Sequence, residues 1–330
     1  MQAVYLEKTG DADNLKLVEQ PVPQPGPGEV RIEVAAAGIN FADVLVRRGL
    51  YQPMPELPLV PGLEVAGTID AIGEGVTHLA GGERVAALVG QGGYARYALA
   101  SAKGVVTLPD DLTFDLAAGL PVSGMTAYHL THTVAAPQPG AWVVNYAAAG
   151  SVGSLVNGLA KTCGARVIAL VGSEKKAARA RELGADHVID YRAHKDVAGA
   201  VLDLTAGHGA DVIYNSVFGP TVRDDLKMLA LRGHIVWYGI AGGLPNPKHL
   251  LVALMRRFTA SPTFTFYHLI TSVKHDARRH NEGWGRLFDY LLARQAELPL
   301  HGAYPLSRVA AAHTALENRE TMGKLVLHPG

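Results

Sequence analysis

The chain has 330 residues, with 30 basic and 30 acidic side chains, 37 glycines and one cysteine. That length suggests about two domains with ample core. Zero formal charge leaves no electrostatic footprint for nucleic acid or an anionic membrane, and the lone cysteine excludes an intrachain disulfide framework and a Cys-rich structural zinc lobe. Met1 to Lys8 has no basic segment followed by an apolar core, so a cytoplasmic protein without a signal peptide is expected. Leu116 to Ala160 lacks any Asp, Glu, Lys or Arg, but Pro121, Pro137, Pro139 and several glycines break it. A spanning helix needs about 20 predominantly apolar residues, so a buried strand-turn-helix is expected there, and no membrane partner.

The first third reads as β-rich. Val30 to Val34 alternates apolar and polar residues, as a half-buried strand does. Val65 to Ile72 and Arg84 to Val89 follow as strands bounded by glycines, which predicts a compact barrel-like β domain. Thr113 to Val134 reads as helical. From Trp142 the pattern alternates: strand to Ala147, helix Val152 to Lys161, strand Arg166 to Val171, helix Glu174 to Leu183. Val188 to Asp190, Val212 to Asn215 and His234 to Tyr238 continue the strand series. Alternation of this kind predicts a parallel sheet with helices on both faces. Beyond about Ser261 the rhythm breaks, and the chain ends in a strand at Lys324 to Leu327.

The most informative turn is Ala148-Ala149-Gly150-Ser151-Val152-Gly153, where a strand ends and a helix begins. Small residues at Ala148, Gly150 and Gly153 allow a tight turn, close approach of a pyrophosphate, and packing of helix on strand. The phosphates then face the unpaired N–H groups of the helix start. An NAD site usually carries an acid about 20 residues on, to bind the ribose 2′-hydroxyl. Here the second strand ends in Gly172-Ser173, followed by Glu174, Lys175 and Lys176. Absence of that carboxylate and presence of a lysine favour a 2′-phosphate, so NADPH is the expected cofactor and Lys176 the expected cation.

A collinear series then carries a family resemblance. It comprises Gly38 to Asp43, Arg47 to Tyr51, Val60 to Gly67, Ala147 to Gly153, Glu182 to Tyr191, Arg232-Gly233 and Gly323 to Leu327. Across essentially its whole length the chain resembles the zinc-independent quinone oxidoreductases, the zeta-crystallin-like branch of the medium-chain dehydrogenase/reductase superfamily. The resemblance implies an α/β protein: a GroES-like β-rich catalytic domain (1–122 and 264–330) and a Rossmann doubly wound parallel-sheet domain (123–263). It implies an active site in the cleft between them. It also implies a homodimer joined through Rossmann edge strands, with His234 to Ile240 as the candidate edge.

Zinc-dependent relatives carry a cysteine where Asn40 stands and a histidine where Leu63 stands. Leu63 cannot ligate, and the single cysteine, Cys163, lies far along the chain, so no metal is expected. His129 and His132 share a helical face but lack further ligands, and His275 to His280 reads as a solvated basic loop. Without a Lewis acid, alcohol oxidation is disfavoured, whereas hydride delivery to a quinone or an α,β-unsaturated carbonyl needs only donors for the developing anion. As catalytic candidates the resemblance offers Tyr51, a proton donor or pocket wall, and Asn40 and Asp43. For the cofactor it implies Asn40, Thr126, Ala148, Gly150, Ser151, Val152, Gly153, Gly172, Ser173, Lys176, Tyr191, Tyr238, Gly239, Ala241 and Lys324. Phe264 and Phe266 are placed at the cleft border or in core packing. The expected activity is NADPH-dependent reduction of a quinone or enone. An enoyl-thioester or polyketide enoyl reductase is the alternative, and an NADPH-binding protein with negligible turnover is a further one.

Overall fold

The computed structural model describes residues 1–330, the side chain of His249 excepted. It divides into two compact units, Met1–Gly124 with Leu298–Gly330, and Met125–Glu297.

The first unit begins with an antiparallel pair, β1 (Gln2–Leu6) and β2 (Leu15–Glu19). Five strands follow: β3 (Glu29–Ile39), β4 (Glu64–Ile72), β5 (Arg84–Leu88), β6 (Tyr97–Ser101) and β7 (Val105–Thr107). β3 is the spine. It pairs antiparallel with β4 and β6, and two register shifts in its pairing with β4 bend the sheet as bulges do. Helix α1 (Phe41–Arg48) leaves the end of β3 and stops at Gly49, whose φ of 71° only glycine adopts at little cost. The short α2 (Phe114–Ala117) closes this first pass of the chain. Val4, Ile32, Val65, Val85 and Leu327 belong to the core beneath the sheet.

The second unit starts at α3 (Met125–His129), flanked by π-helical turns at Leu120–Gly124 and Leu130–Val134. The chain then alternates: β8 (Trp142–Tyr146), α4 (Ser151–Thr162), β9 (Arg166–Val171), α5 (Glu174–Glu182), β10 (His187–Asp190), α6 (Val197–Leu204), β11 (Ala210–Asn215), α7 (Val222–Met228) and β12 (Leu229–Trp237). Helix α8 (Pro247–Arg257) leads to β13 (Thr263–Phe266), and α9 (Leu269–His275) and α10 (Ala277–Leu292) end the unit. All six strands are parallel, in the order β10-β9-β8-β11-β12-β13. This is the doubly wound order in which the chain reverses direction across the sheet between β8 and β11. The first unit is completed by β14 (Leu300–Pro305), α11 (Val309–Glu317) and β15 (Lys324–His328), with β15 pairing antiparallel to β3.

Three expectations are corrected. The chain returns to the first unit at Leu298 rather than at about 264, because β13 adds a sixth strand and α10 packs against α3. The strand around His234 to Ile240 is not an edge: β12 is paired on both sides, and the edges are β10 and β13. The 275–280 stretch is not a solvated loop. It runs from α9 into α10, and His280 is buried with its ring stacked on His129. Among the described residues, no helix is long and apolar enough to cross a membrane.

Candidate active site

In the second unit, parallel strands place every β-to-α turn at one edge of the sheet. The turn after β8 is built by close approach. Ala147 takes φ 50°, and Gly150 N–H donates to Ala147 O at 2.8 Å. A Cβ on Gly153 would lie 2.3 Å from Ala147 O, so only glycine lets α4 start this close to the strand. Gly150 is the N-cap of α4 and carries no side chain that could close off the first-turn N–H groups. The turn is braced from beneath by two buried amides. Asn145 Nδ2 donates to Gly153 O and to Asn157 Oδ1, and Asn157 Nδ2 donates to Ala148 O at 2.9 Å.

At the end of β9, Tyr191 lies across Gly172, where any Cβ would meet its hydroxyl at 2.5 Å. Ser173 caps α5, its Oγ accepting from Lys176 N–H. Lys176, the expected cation, is half-buried, while Lys175 is exposed. At the ends of β11 and β12, Tyr238 N–H donates to Asn215 O and Ala241 N–H to Ser216 O, and Gly239 packs against Ser216 O. Ala148, Gly150 to Gly153, Gly172 to Lys176, Tyr191 and Tyr238 to Ala241 therefore share one edge of the sheet, and Thr126 lies buried in α3. Glycine positions that a Cβ would fill and open helix starts fit a dinucleotide pyrophosphate, and Ser173, Lys176 and Tyr191 fit an added ribose phosphate.

In the first unit, Asn40 opens α1 and Asp43 caps it, Asp43 Oδ2 accepting from Asn40 N–H at 2.7 Å. Burial pushes the Asp43 carboxyl up to about 7, against the pull of that hydrogen bond and of the Lys324 charge. Tyr51 follows the reversal at Gly49 and is half-buried; burial and then the Asp43 charge push its phenol up. Lys324, at the start of β15, is wholly buried. Its Nζ donates to Glu64 Oε1 at 2.5 Å, Asn40 Oδ1 at 2.7 Å and Ser123 Oγ at 3.4 Å. Asn40 Nδ2 donates to the same Glu64 oxygen at 2.8 Å, and Val122 N–H donates to the other at 2.7 Å. The lysine charge is thus satisfied inside the protein.

Sequence reasoning missed Glu64, Ser123, Asn145 as a brace, and the Asp225 group. Asp225 is wholly buried, accepts from Asn215 Nδ2 and Trp237 Nε1, and is pushed up to about 7 by burial. Glu64 carried a signal: it is the single charge in the apolar run from Val60 to Gly67. Where Leu63 stands there is no donor, and among the described residues no group of three His, Cys, Asp or Glu could hold a metal ion. His129 pairs with His280 at 3.3 Å instead, and burial holds both rings down at about 4.

Residues 26–110 match the alcohol dehydrogenase GroES-like domain, and residues 151–275 match the zinc-binding dehydrogenase domain. The chain is 36% identical to a Burkholderia 2-haloacrylate reductase, covering 100% of this chain and 99% of that protein. It is 35% identical to a Pseudomonas aeruginosa quinone oxidoreductase, covering 93% of each. The solved Escherichia coli quinone oxidoreductase, a complex with NADPH, superposes with a TM-score of 0.94 at 31% identity over 100% of both chains. With its turn, its doubly wound sheet and these full-length relatives, the chain belongs to the quinone oxidoreductase family of the medium-chain dehydrogenase/reductase superfamily, whose members are oxidoreductases.

Proposed function

We propose that this protein is an NADPH-dependent reductase of quinones or α,β-unsaturated carbonyls. The observation that carries the reading is the second-strand end, where Ser173, half-buried Lys176 and Tyr191 stand in place of a ribose-binding acid. An acid there would repel a 2′-phosphate; a lysine attracts it. The NADPH complex of the E. coli relative supports the same cofactor. Bound NADPH supplies a hydride.

The chain's own residues do the rest. The α4 start and Gly150 to Gly153 hold the pyrophosphate. Asn40 offers an N–H to the acceptor oxygen, where negative charge gathers as hydride adds to the β-carbon of an enone or to a quinone. Tyr51 donates the proton that completes the reduction and recovers one from water. Asp43 caps α1 and so positions Asn40, and Lys324 Nζ donates to the Asn40 side-chain oxygen. Both hydride electrons end in the acceptor, which gains one hydride and one proton.

Self-association is proposed through β13, which has one unpaired side. Phe266 on it is 67% exposed, and Leu251, Met255 and Phe258, spaced along one face of α8 and its continuation, are 61%, 64% and 74% exposed. The deciding experiment is a panel following NADPH oxidation with quinones, 2-enals, 2-haloacrylate and enoyl thioesters. Turnover with quinones or enones is the expected result. Preference for enoyl thioesters would move the assignment to enoyl reduction. NADPH binding with no acceptor consumed would overturn it.

A further inference from the structure

We propose that Glu64 and Lys324 are positioning residues that lock the Asn40 side-chain amide in one orientation, so that the second Nδ2–H points to the reacting oxygen. The inference rests on the quinone or enone reading above. The two ends of an amide are nearly the same in shape, and only their partners decide which way it faces. Lysine has donors and no acceptor, so its Nζ must meet Asn40 Oδ1, as it does at 2.7 Å. A carboxylate has acceptors and no donor, so Glu64 Oε1 must meet Nδ2, as it does at 2.8 Å. Turning the amide over would set NH2 against the ammonium and carbonyl oxygen against the carboxylate. Two charge-assisted bonds would become two repulsions.

The lock is itself held. Glu64 Oε2 is fixed by Val122 N–H, Lys324 Nζ is shared with Ser123 Oγ, and Asn40 N–H is tied to Asp43. Glu64, Lys324 and Ser123 are wholly buried, whereas Asn40 is 7% exposed. A buried ion pair is weak evidence for stability, since apolar residues of like volume often do as well. What this pair supplies is direction. A donor fixed before the reaction stabilises a developing oxyanion without reorganising, and loss of one such donor typically costs about 10²–10³ in kcat.

The test is Glu64→Gln combined with Lys324→Met. In that variant the side chain at position 64 must turn its amide oxygen to Val122 N–H and its NH2 to Asn40, which inverts the Asn40 amide while keeping the Val122 and Asn40 contacts of the replaced carboxylate paired. The expected result is a kcat lower by about 10²-fold, with the NADPH Kd within about threefold of the native value. Adding Asn40→Ala to this variant should cost no more than about twofold, although Asn40→Ala alone should cost about 10²-fold, because residues acting through one another are non-additive. Native turnover in the double variant, or fully additive losses, would overturn the lock. If the native protein consumes no quinone or enone, the functional reading fails, and the lock is then read separately. By ¹⁵N NMR of the native protein, one Asn40 side-chain amide proton should be shifted downfield and exchange slowly. Rapid exchange of both protons would overturn the lock whether or not the variant folds.

Discussion

Under the proposed function, cofactor choice turns on Lys176. Lys176→Ala should raise the KM for NADPH by about 10-fold and leave that for NADH within about twofold, since only the 2′-phosphate differs between them. Steady-state kinetics with both cofactors checks it, and an unchanged ratio would remove the assignment. Tyr51→Phe keeps the ring that packs against the core and deletes the proton. Its kcat should fall by about 10²-fold, with acceptor KM little changed. Among single residues, glycines and surface lysines were legible in the sequence because their chemistry is local. Glu64 was not, because a lone acid in an apolar run gains meaning only from Lys324, which lies 260 residues away.

Elements were legible where period and punctuation agreed. The expected helix at 152–161 appears as Ser151–Thr162, and the strand at 166–171 as Arg166–Val171. The region predicted helical from 113 to 134 is broken instead into α2, α3 and two π-helical turns, a detail of hydrogen-bond register that apolar period does not encode. At this scale the turn after β8 makes a sharp prediction. Gly153→Ala puts a methyl 2.3 Å from a backbone oxygen, so α4 must move off the strand. NADPH affinity, read by fluorescence titration, should drop at least about 10-fold while Tyr51-side chemistry is untouched. The β13 edge makes another. Phe258→Glu with Phe266→Glu places charge on the exposed apolar row, so sedimentation should show a dimer for the native protein and a monomer for the variant.

For the molecule as a whole, pH reports how burial is distributed. All three tryptophans, Trp142, Trp237 and Trp284, lie in the second unit, so their fluorescence follows that unit alone. There, burial pushes Asp225 up to about 7 and holds His129 and His280 down at about 4. A carboxyl with a raised folded value favours folding at low pH and loses that contribution as pH rises through about 7. The two histidines favour folding above about 6.5 and lose it as pH falls toward 4. Between pH 4 and 6.5 the two histidines release more protons on folding than the acid takes up, so stability should rise with pH and level off above about 7. Asp225→Asn removes the opposing acid and should steepen that rise. Urea unfolding at pH 5, 6.5 and 8 measures the rise and the plateau.

By itself, the sequence determined the class of fold, the glycine-rich turn after β8 and the want of a ligand at Leu63. Each depends on neighbours within a few positions, where glycine geometry and side-chain period are written directly. The tertiary structure decided the rest. It set the return to the first unit at Leu298, made β13 rather than the 234–240 strand the open edge, and buried Lys324 behind Asn40. These depend on which distant segments pair, and the energy of that pairing comes from burial and strand register that no local pattern contains.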